Sequence, residues 1–389
     1  MKLSTGSDST KTPSGNSPPH VYVRRRDQLA DQLKGLSRRD QRRVLDISQT
    51  YWAVEQDENY SESERQHRWS LLKKYGDFSM AYSTAVQPLL DYHELNTVGG
   101  YVAYRNRWGT AFALADPVVA KENQEALIRS FCEKHQRVTF CQVSESTARI
   151  LNDLGFYVNE MGVDTTLQLA EYDFKGKEKE WLRYADNWTK RRGYSIRECG
   201  FGEIEQRQIE SVSEAWRDTR TVKRKEVRFL NRPIVVAKPE MDVRKFYFFD
   251  PDDRLLAFVF LDPLYRDGEV VGYVTAFKRR HPDAPQYAEQ ALMKVIIETL
   301  TSEGIEQLKL GLSPVAWLSE EKFRYNWATA KLFRWGYRSK MINRHFYNLT
   351  GHANYKRRFR GTEEKTYFAS NTRFNGPRLL SLIGLCGIA

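Results

Sequence analysis

With 389 residues the chain is longer than one ordinary core accommodates, and two domains are expected. A 41% hydrophobic and 13% aromatic share excludes a wholly disordered chain, and no apolar run nears the roughly 20 residues of a membrane-spanning helix. Four cysteines without C-x-x-C spacing and seven dispersed histidines argue against a disulfide framework and a metal site, so no metal is expected. The net charge of +11 is concentrated: residues 322–378 hold fourteen Lys or Arg against two acids, Glu363 and Glu364. Phe, Tyr and Trp are interleaved with these cations, which suits a polyanion with stackable bases or an anionic membrane surface. A solvated helix face is the plain alternative.

In chain order, residues 1–22 are rich in Ser, Thr, Gly and Pro and lack the apolar core of a secretory signal. They read as a disordered tail, with the cytoplasm as the default compartment. Residues 24–56 read as a roughly amphipathic helix and about 62–75 as a polar one. Residues 99–117 carry two apolar runs joined by Arg107-Trp108-Gly109, a hairpin signature ended by Asp116-Pro117. A helix over 122–135, a strand over 138–143 and a helix over 145–154 follow. One further strand starts at Gly155-Phe156, and another spans 165–169. A second unit repeats this order: helix 177–193, strand 194–197, helix 204–219, a hairpin of 246–249 with 255–261, strand 270–277, helix 287–303 and strand 307–312. Helices returning to a mixed sheet make the class α/β, and the repeated order suggests a structural duplication.

Seven short motifs in this order resemble the C-terminal, cytoplasmic domain of phosphatidylglycerol lysyltransferases. They are Ala115-Asp116-Pro117; Gly155-Phe156 with Gly162; Gly176-Lys177, Arg183, Asn187 and Gly193; Trp216; the stretch RRHPDAP at 279–285; LGLSP at 310–314; and YNLTGHANYKRRF at 347–359. The resemblance covers about 75–369 and implies two tandem GNAT-like acyltransferase folds that move an amino acid from aminoacyl-tRNA to a lipid hydroxyl. No stretch corresponds to the integral-membrane flippase half of that family. Asp164 stands two places after Gly162, where the family has Glu directly after Gly; Tyr287 and Gln290 replace its Gly and Asp. A free-standing relative is implied, with lysine and phosphatidylglycerol left open.

Aminoacyl transfer needs an ester held beside a nucleophile and donors for the developing oxyanion, and no covalent nucleophile motif is present. Arg279 and Arg280, where a strand ends before a helix, are expected to meet phosphate or to form surface salt bridges. RRHPDAPQYA lacks the glycines of a CoA pyrophosphate loop, which argues against acyl-CoA. Lys356, Arg357, Arg358 and Arg360 are the expected polyanion contacts, with a solvated cationic helix as alternative. Tyr347 stacks on or donates to the ester, or packs in the core. Asp262 binds the substrate amino group or initiates a turn before Pro263. Ser313 lines the pocket. Glu226, Arg228 and Arg232 form a pocket wall or a buried ion-pair network. Tyr287 and Gln290 bear on amino-acid or acceptor recognition. Arg183 and Asn187 share a helix face and contact phosphate or cap a loop.

The expected organisation is a tail (1–22), a helical extension (23–75), a first GNAT-like domain (76–173), a second, catalytic GNAT-like domain (174–372) and a C-terminal tail (373–389). Its apolar end, 379–389, packs on the body or touches membrane. The expected enzyme is an aminoacyl-tRNA-dependent aminoacyltransferase with a lipid or small-molecule acceptor, peripheral membrane contact and no cofactor. A CoA-dependent N-acyltransferase and a non-catalytic RNA- or membrane-binding protein are the alternatives.

Overall fold

Short runs rich in apolar, β-branched and aromatic residues drive a long series of strands, and eleven of them join one mixed sheet in a computed structural model that describes residues 60–88, 90–219, 227–345 and 347–387. The expected helix over 24–56 lies outside the described residues. The strands are β1 (Asp91–Leu95), β2 (Gly100–Arg107), β3 (Thr110–Leu114), β4 (Val138–Val143), β5 (Tyr157–Gln168), β6 (Ser195–Glu198), β7 (Arg244–Phe249), β8 (Leu255–Arg266), β9 (Glu269–Arg280), β10 (Gln307–Pro314) and β11 (Thr362–Ser370). Their spatial order is β1-β2-β3-β4-β11-β5-β10-β9-β8-β7-β6.

Four strands lie on one side of the β11·β5 pair and five on the other, and a parallel pair adjoins it on each side. β3 with β4 and β9 with β10 are parallel, while every other neighbouring pair is antiparallel. Each parallel pair is connected by a helix, α3 (Gln124–Lys134) in the first half and α7 (Ala288–Ser302) in the second. Parallel neighbours require such a crossover. Two GNAT-like halves therefore share one sheet. β11 completes the first half by inserting between β4 and β5, although the chain reaches it last. Of residues 165–169, expected as a separate strand, 165–168 continue β5 and Leu169 opens a short 3-10 turn. A bulge accommodates Gly162 (φ +145°), where an added Cβ would lie 2.2 Å from the Ser313 carbonyl.

The strand period of two sends alternate residues into different cores. In β7, Phe246 and Phe248 pack with α7, while Tyr247 and Phe249 pack with α6 (Gln206–Asp218). α7 buries Ala288, Ala291, Leu292, Met293, Ile296, Ile297 and Leu300. Each large side chain there contributes roughly 1.5–3 kcal/mol, which outweighs propensity in fixing this helix. α1 (Glu62–Tyr75), α2 (Ala81–Val86) and α4 (Glu145–Asp153) cover further parts of the sheet, and α5 (Glu180–Lys190) packs along α7.

After β10 come α8 (Trp327–Arg338), α9 (Lys340–His345) and α10 (Leu349–Arg357), then β11 and α11 (Gly376–Leu385). Asn326 and Asn348 cap α8 and α10 by accepting from the backbone N–H groups of Thr329 and Gly351. α11 packs Leu379, Leu382 and Leu385 into the core with Tyr101, Phe112 and Phe368, so the apolar C-terminal segment docks on the body through this face.

Candidate active site

β9 and β10 stay paired for three registers, Gln307↔Gly272, Leu308↔Tyr273 and Lys309↔Val274, and then separate. Thr275 Oγ1 still reaches the Leu310 carbonyl at 3.1 Å, but β10 bulges between Lys309 and Leu312, with Gly311 at φ +75°. This left-handed turn is open to glycine at little cost. The carbonyls of Gly311 and Leu312 thereby lose strand partners, and the Lys356 ammonium on α10 donates to both, at 2.8 and 2.7 Å. Lys356 is buried. Burial pushes its pKa down to about 7, the neighbouring Lys278 lowers it further, and Asp164 opposes both. Around it lie Asp164, which accepts from Ser79 Oγ, and Ser313, whose hydroxyl is fully buried without a hydrogen-bond partner among the described residues. The expectation that Lys356 belongs to an exposed polyanion surface is corrected, because its helix turns it toward the sheet.

The residues flanking Lys356 face outward. Arg357, Arg358 and Arg360 line a basin of about 800 Å³ together with Asn354, Lys177, Glu178, Glu180, Trp181, Tyr184, Tyr287 and Gln290. Its floor is aromatic: the Arg358 guanidinium lies 4.0 Å from the Trp181 ring centroid, and Tyr287 meets Tyr184 and Trp188 at 5.2 and 5.1 Å. Two polar atoms in its wall, Trp181 Nε1 and Gln290 Oε1, are buried without a hydrogen-bond partner among the described residues. A buried donor and acceptor left unmatched favour a ligand that pairs them. The structure thus brings Tyr287 and Gln290 together with three of the four expected cations.

Other expected site residues are dispersed. Lys278, Arg279 and Arg280 alternate along β9. Lys278 pairs with Glu289 at 2.8 Å and lies 4.3 Å from the Tyr355 ring. Burial opposes ionisation of Glu289, but Lys278 holds its carboxyl below the usual range. Arg279 turns to the other face of the sheet, 3.5 Å over Trp216 and near Phe277. The expected joint phosphate site of Arg279 and Arg280 is therefore split by the strand period, leaving Arg280 exposed at the strand end.

Asp262 receives a bidentate bond from Arg232, with contacts of 2.6 to 3.0 Å, and Arg232 also binds Glu240, which pairs with Lys245. Burial raises the Asp262 pKa, although Arg232 counters the shift. These four side chains form the buried ion-pair network, so Asp262 is committed to Arg232 and not to a substrate amine. Arg228 is exposed, and Glu226 lies outside the described residues. Arg183 donates to the carbonyls of Phe174 and Gly176, capping the loop before α5. Tyr347 stacks on His352 at 5.0 Å, just before α10. Sequence reasoning overlooked Lys278, Glu289 and Trp181. Strand alternation over 278–280 was the available signal for the first.

The family model described as "Phosphatidylglycerol lysyltransferase, C-terminal" matches residues 69–370. The chain superposes on the crystal structure of the C-terminal domain of an Agrobacterium fabrum protein assigned as a lysylphosphatidylglycerol synthetase, with a TM-score of 0.68, 20% identity, and coverage of 85% of this chain and 99% of that one. It also superposes on the L-PGS structure from Bacillus licheniformis, with a TM-score of 0.64, 16% identity, and coverage of 83% and 96%. An uncharacterized protein of Corynebacterium glutamicum is 26% identical over 216 residues, which is 53% of this chain; the match spans about a quarter (26%) of that relative's length. The chain belongs to the phosphatidylglycerol lysyltransferase C-terminal family, and shares the fold of these two structures.

Proposed function

We propose that the protein transfers an aminoacyl group from charged tRNA to a hydroxyl or amine of a lipid or small molecule. The observation that carries this reading is the turn between β9 and α7. A CoA pyrophosphate would need free backbone N–H groups there. Pro282 and Pro285 have none, the N–H groups of Asp283, Ala284 and Ala288 are already bound to His281 Nδ1, the His281 carbonyl and the Pro285 carbonyl, and only those of Gln286 and Tyr287 are left in this turn. Asp283 adds a negative charge. The neighbouring basin instead offers three arginines and a ring floor, which suit the phosphates and bases of a single-stranded RNA end.

The aminoacyl ester would extend from that basin to the gap between β9 and β10. The acceptor oxygen or nitrogen attacks the ester carbonyl carbon, and the bond to the ribose oxygen breaks. An uncharged Lys356 amine keeps two N–H donors for the Gly311 and Leu312 carbonyls and frees its lone pair for the proton the acceptor loses. That proton then goes to the departing ribose oxygen. Incubation with a pool of radiolabelled aminoacyl-tRNAs and lipid extract should move label from RNA to an acceptor, at a rate that falls with salt. Turnover of acyl-CoA with none of charged tRNA would overturn the reading.

A further inference from the structure

We infer that the outward faces of α8 and α11, with the tip of the β2–β3 hairpin, form a docking surface for an anionic lipid bilayer. α8 turns Thr329, Ala330 and Phe333 toward the body. Trp327, Lys331 and Trp335 follow at helical spacing on its outer face, beside Leu332. The two indoles are 69% and 55% exposed. α11 buries Leu379, Leu382 and Leu385 and leaves Leu380 and Ile383 outside. The helices begin side by side, because Asn326 Nδ2 donates to the Arg373 carbonyl and Asn375 Nδ2 donates to Thr329 Oγ1. Phe374, 74% exposed, sits at their junction. Near the other end of α11, a Cβ added at Gly384 would lie 2.6 Å from the Arg107 guanidinium, which itself bears on the exposed Trp108 ring.

Burial in the fold does not explain this apolar array. The buried Arg378 donates to the Val138 carbonyl, Ser370 Oγ and Asn371 Oδ1, and so pins α11 to the sheet by its inner face. Charge selects the occupant. After Glu321 the only Asp or Glu residues are Glu363 and Glu364, and both face cations elsewhere, Arg357 at the end of α10 and Lys309 on β10. The outward faces of α8 and α11 therefore mix Trp, Leu, Ile and Phe with Lys331, Arg338 and Arg373, and neither helix carries an Asp or Glu. Indoles with cationic heads fit the headgroup layer, and a bilayer carrying negative lipids supplies the missing charge.

This inference is independent of the transfer reading, because binding is read without RNA. The full chain is floated with phosphatidylcholine vesicles and with vesicles containing about 30% phosphatidylglycerol. Wild type should float with the anionic vesicles and far less with the neutral ones. Trp327→Ser combined with Trp335→Ser and Leu380→Ser should lower partition about tenfold or more. Lys331→Glu with Arg338→Glu should remove the preference for anionic lipid. Should a variant unfold, brominated lipids must quench wild-type tryptophan emission. No flotation of wild type, flotation indifferent to both variant sets, or absent quenching would each overturn the proposal. So would self-association lost in the serine variant without vesicle binding, which would assign the face to a second copy. A protein that floats but transfers nothing would break the transfer reading alone.

Discussion

The two crossover junctions of the sheet have the same topology and opposite chemistry. In the first half, β3 and β4 pair from Ala111↔Val138 to Leu114↔Cys141, and the ladder continues as Ala115 N–H donates to the Cys141 carbonyl at 2.8 Å. Asp116 then accepts from the Ser144 N–H at 2.9 Å. The junction is closed by its own backbone. In the second half, pairing ends after three registers, and the freed carbonyls are served by a lysine from a distant helix. A closed junction stabilises the fold; an open one, held by a titratable amine, provides a place for chemistry.

The largest expected effect separates the two halves outright. Lys356→Met should lower aminoacyl transfer by about a hundredfold or more, the scale of a lost proton acceptor. Asp116→Ala, at the closed junction, should leave the transfer rate of folded protein unchanged while costing about 1–3 kcal/mol in urea melts, through the Ser144 N–H it leaves unpaired. Equal loss of transfer in both variants would erase the functional distinction between the junctions.

Next in size is the basin beside the open junction. Replacing Arg357, Arg358 and Arg360 with Ala should weaken RNA binding and reduce the slope of log affinity against log salt by about 3, about one for each phosphate no longer neutralised. Filter binding at several salt concentrations reads both quantities. An unchanged slope would remove these arginines from the RNA path.

A smaller effect concerns pH. The unfolded chain keeps the Lys356 proton up to its ordinary value of 10.5, while the folded chain releases it near 7. Between those values the unfolded state binds more protons, so this group makes stability rise with pH, by at most about 1.4 kcal/mol per unit. Denaturant unfolding across pH 7 to 10 should show that rise in the difference between wild type and Lys356→Met. The smallest effect is expected at Gly311. Gly311→Ala should cost about 1 kcal/mol, because a Cβ is disfavoured at φ +75°, and a thermal melt would register it.

Local pattern carried much of the fold. The helix over Glu62–Tyr75 and the strand over Val138–Val143 stand where the local sequence places them, the first as a polar run of helix-favouring residues and the second as a short apolar-rich run. The Arg107-Trp108-Gly109 turn was legible for the same reason. In the candidate site, the motifs single out Tyr287, Gln290 and the arginines at 357, 358 and 360, and these share one basin. The motif at 279–285 singles out Arg279 too, and Asp262 stands out before Pro263, but these face the other side of β9 or a buried guanidinium.

Residue order by itself determined that this protein is an α/β chain with two strand–helix–strand units and a cationic C-terminal segment, since helical and strand periods and charge are properties of neighbouring residues. Only the tertiary structure decided that β11 enters the first half, that β9 and β10 part after Val274, and that Lys356 turns inward while Arg357 and Arg358 turn out. Those outcomes depend on hydrogen bonds and burial between segments far apart in the chain, where no local spacing records which partner wins.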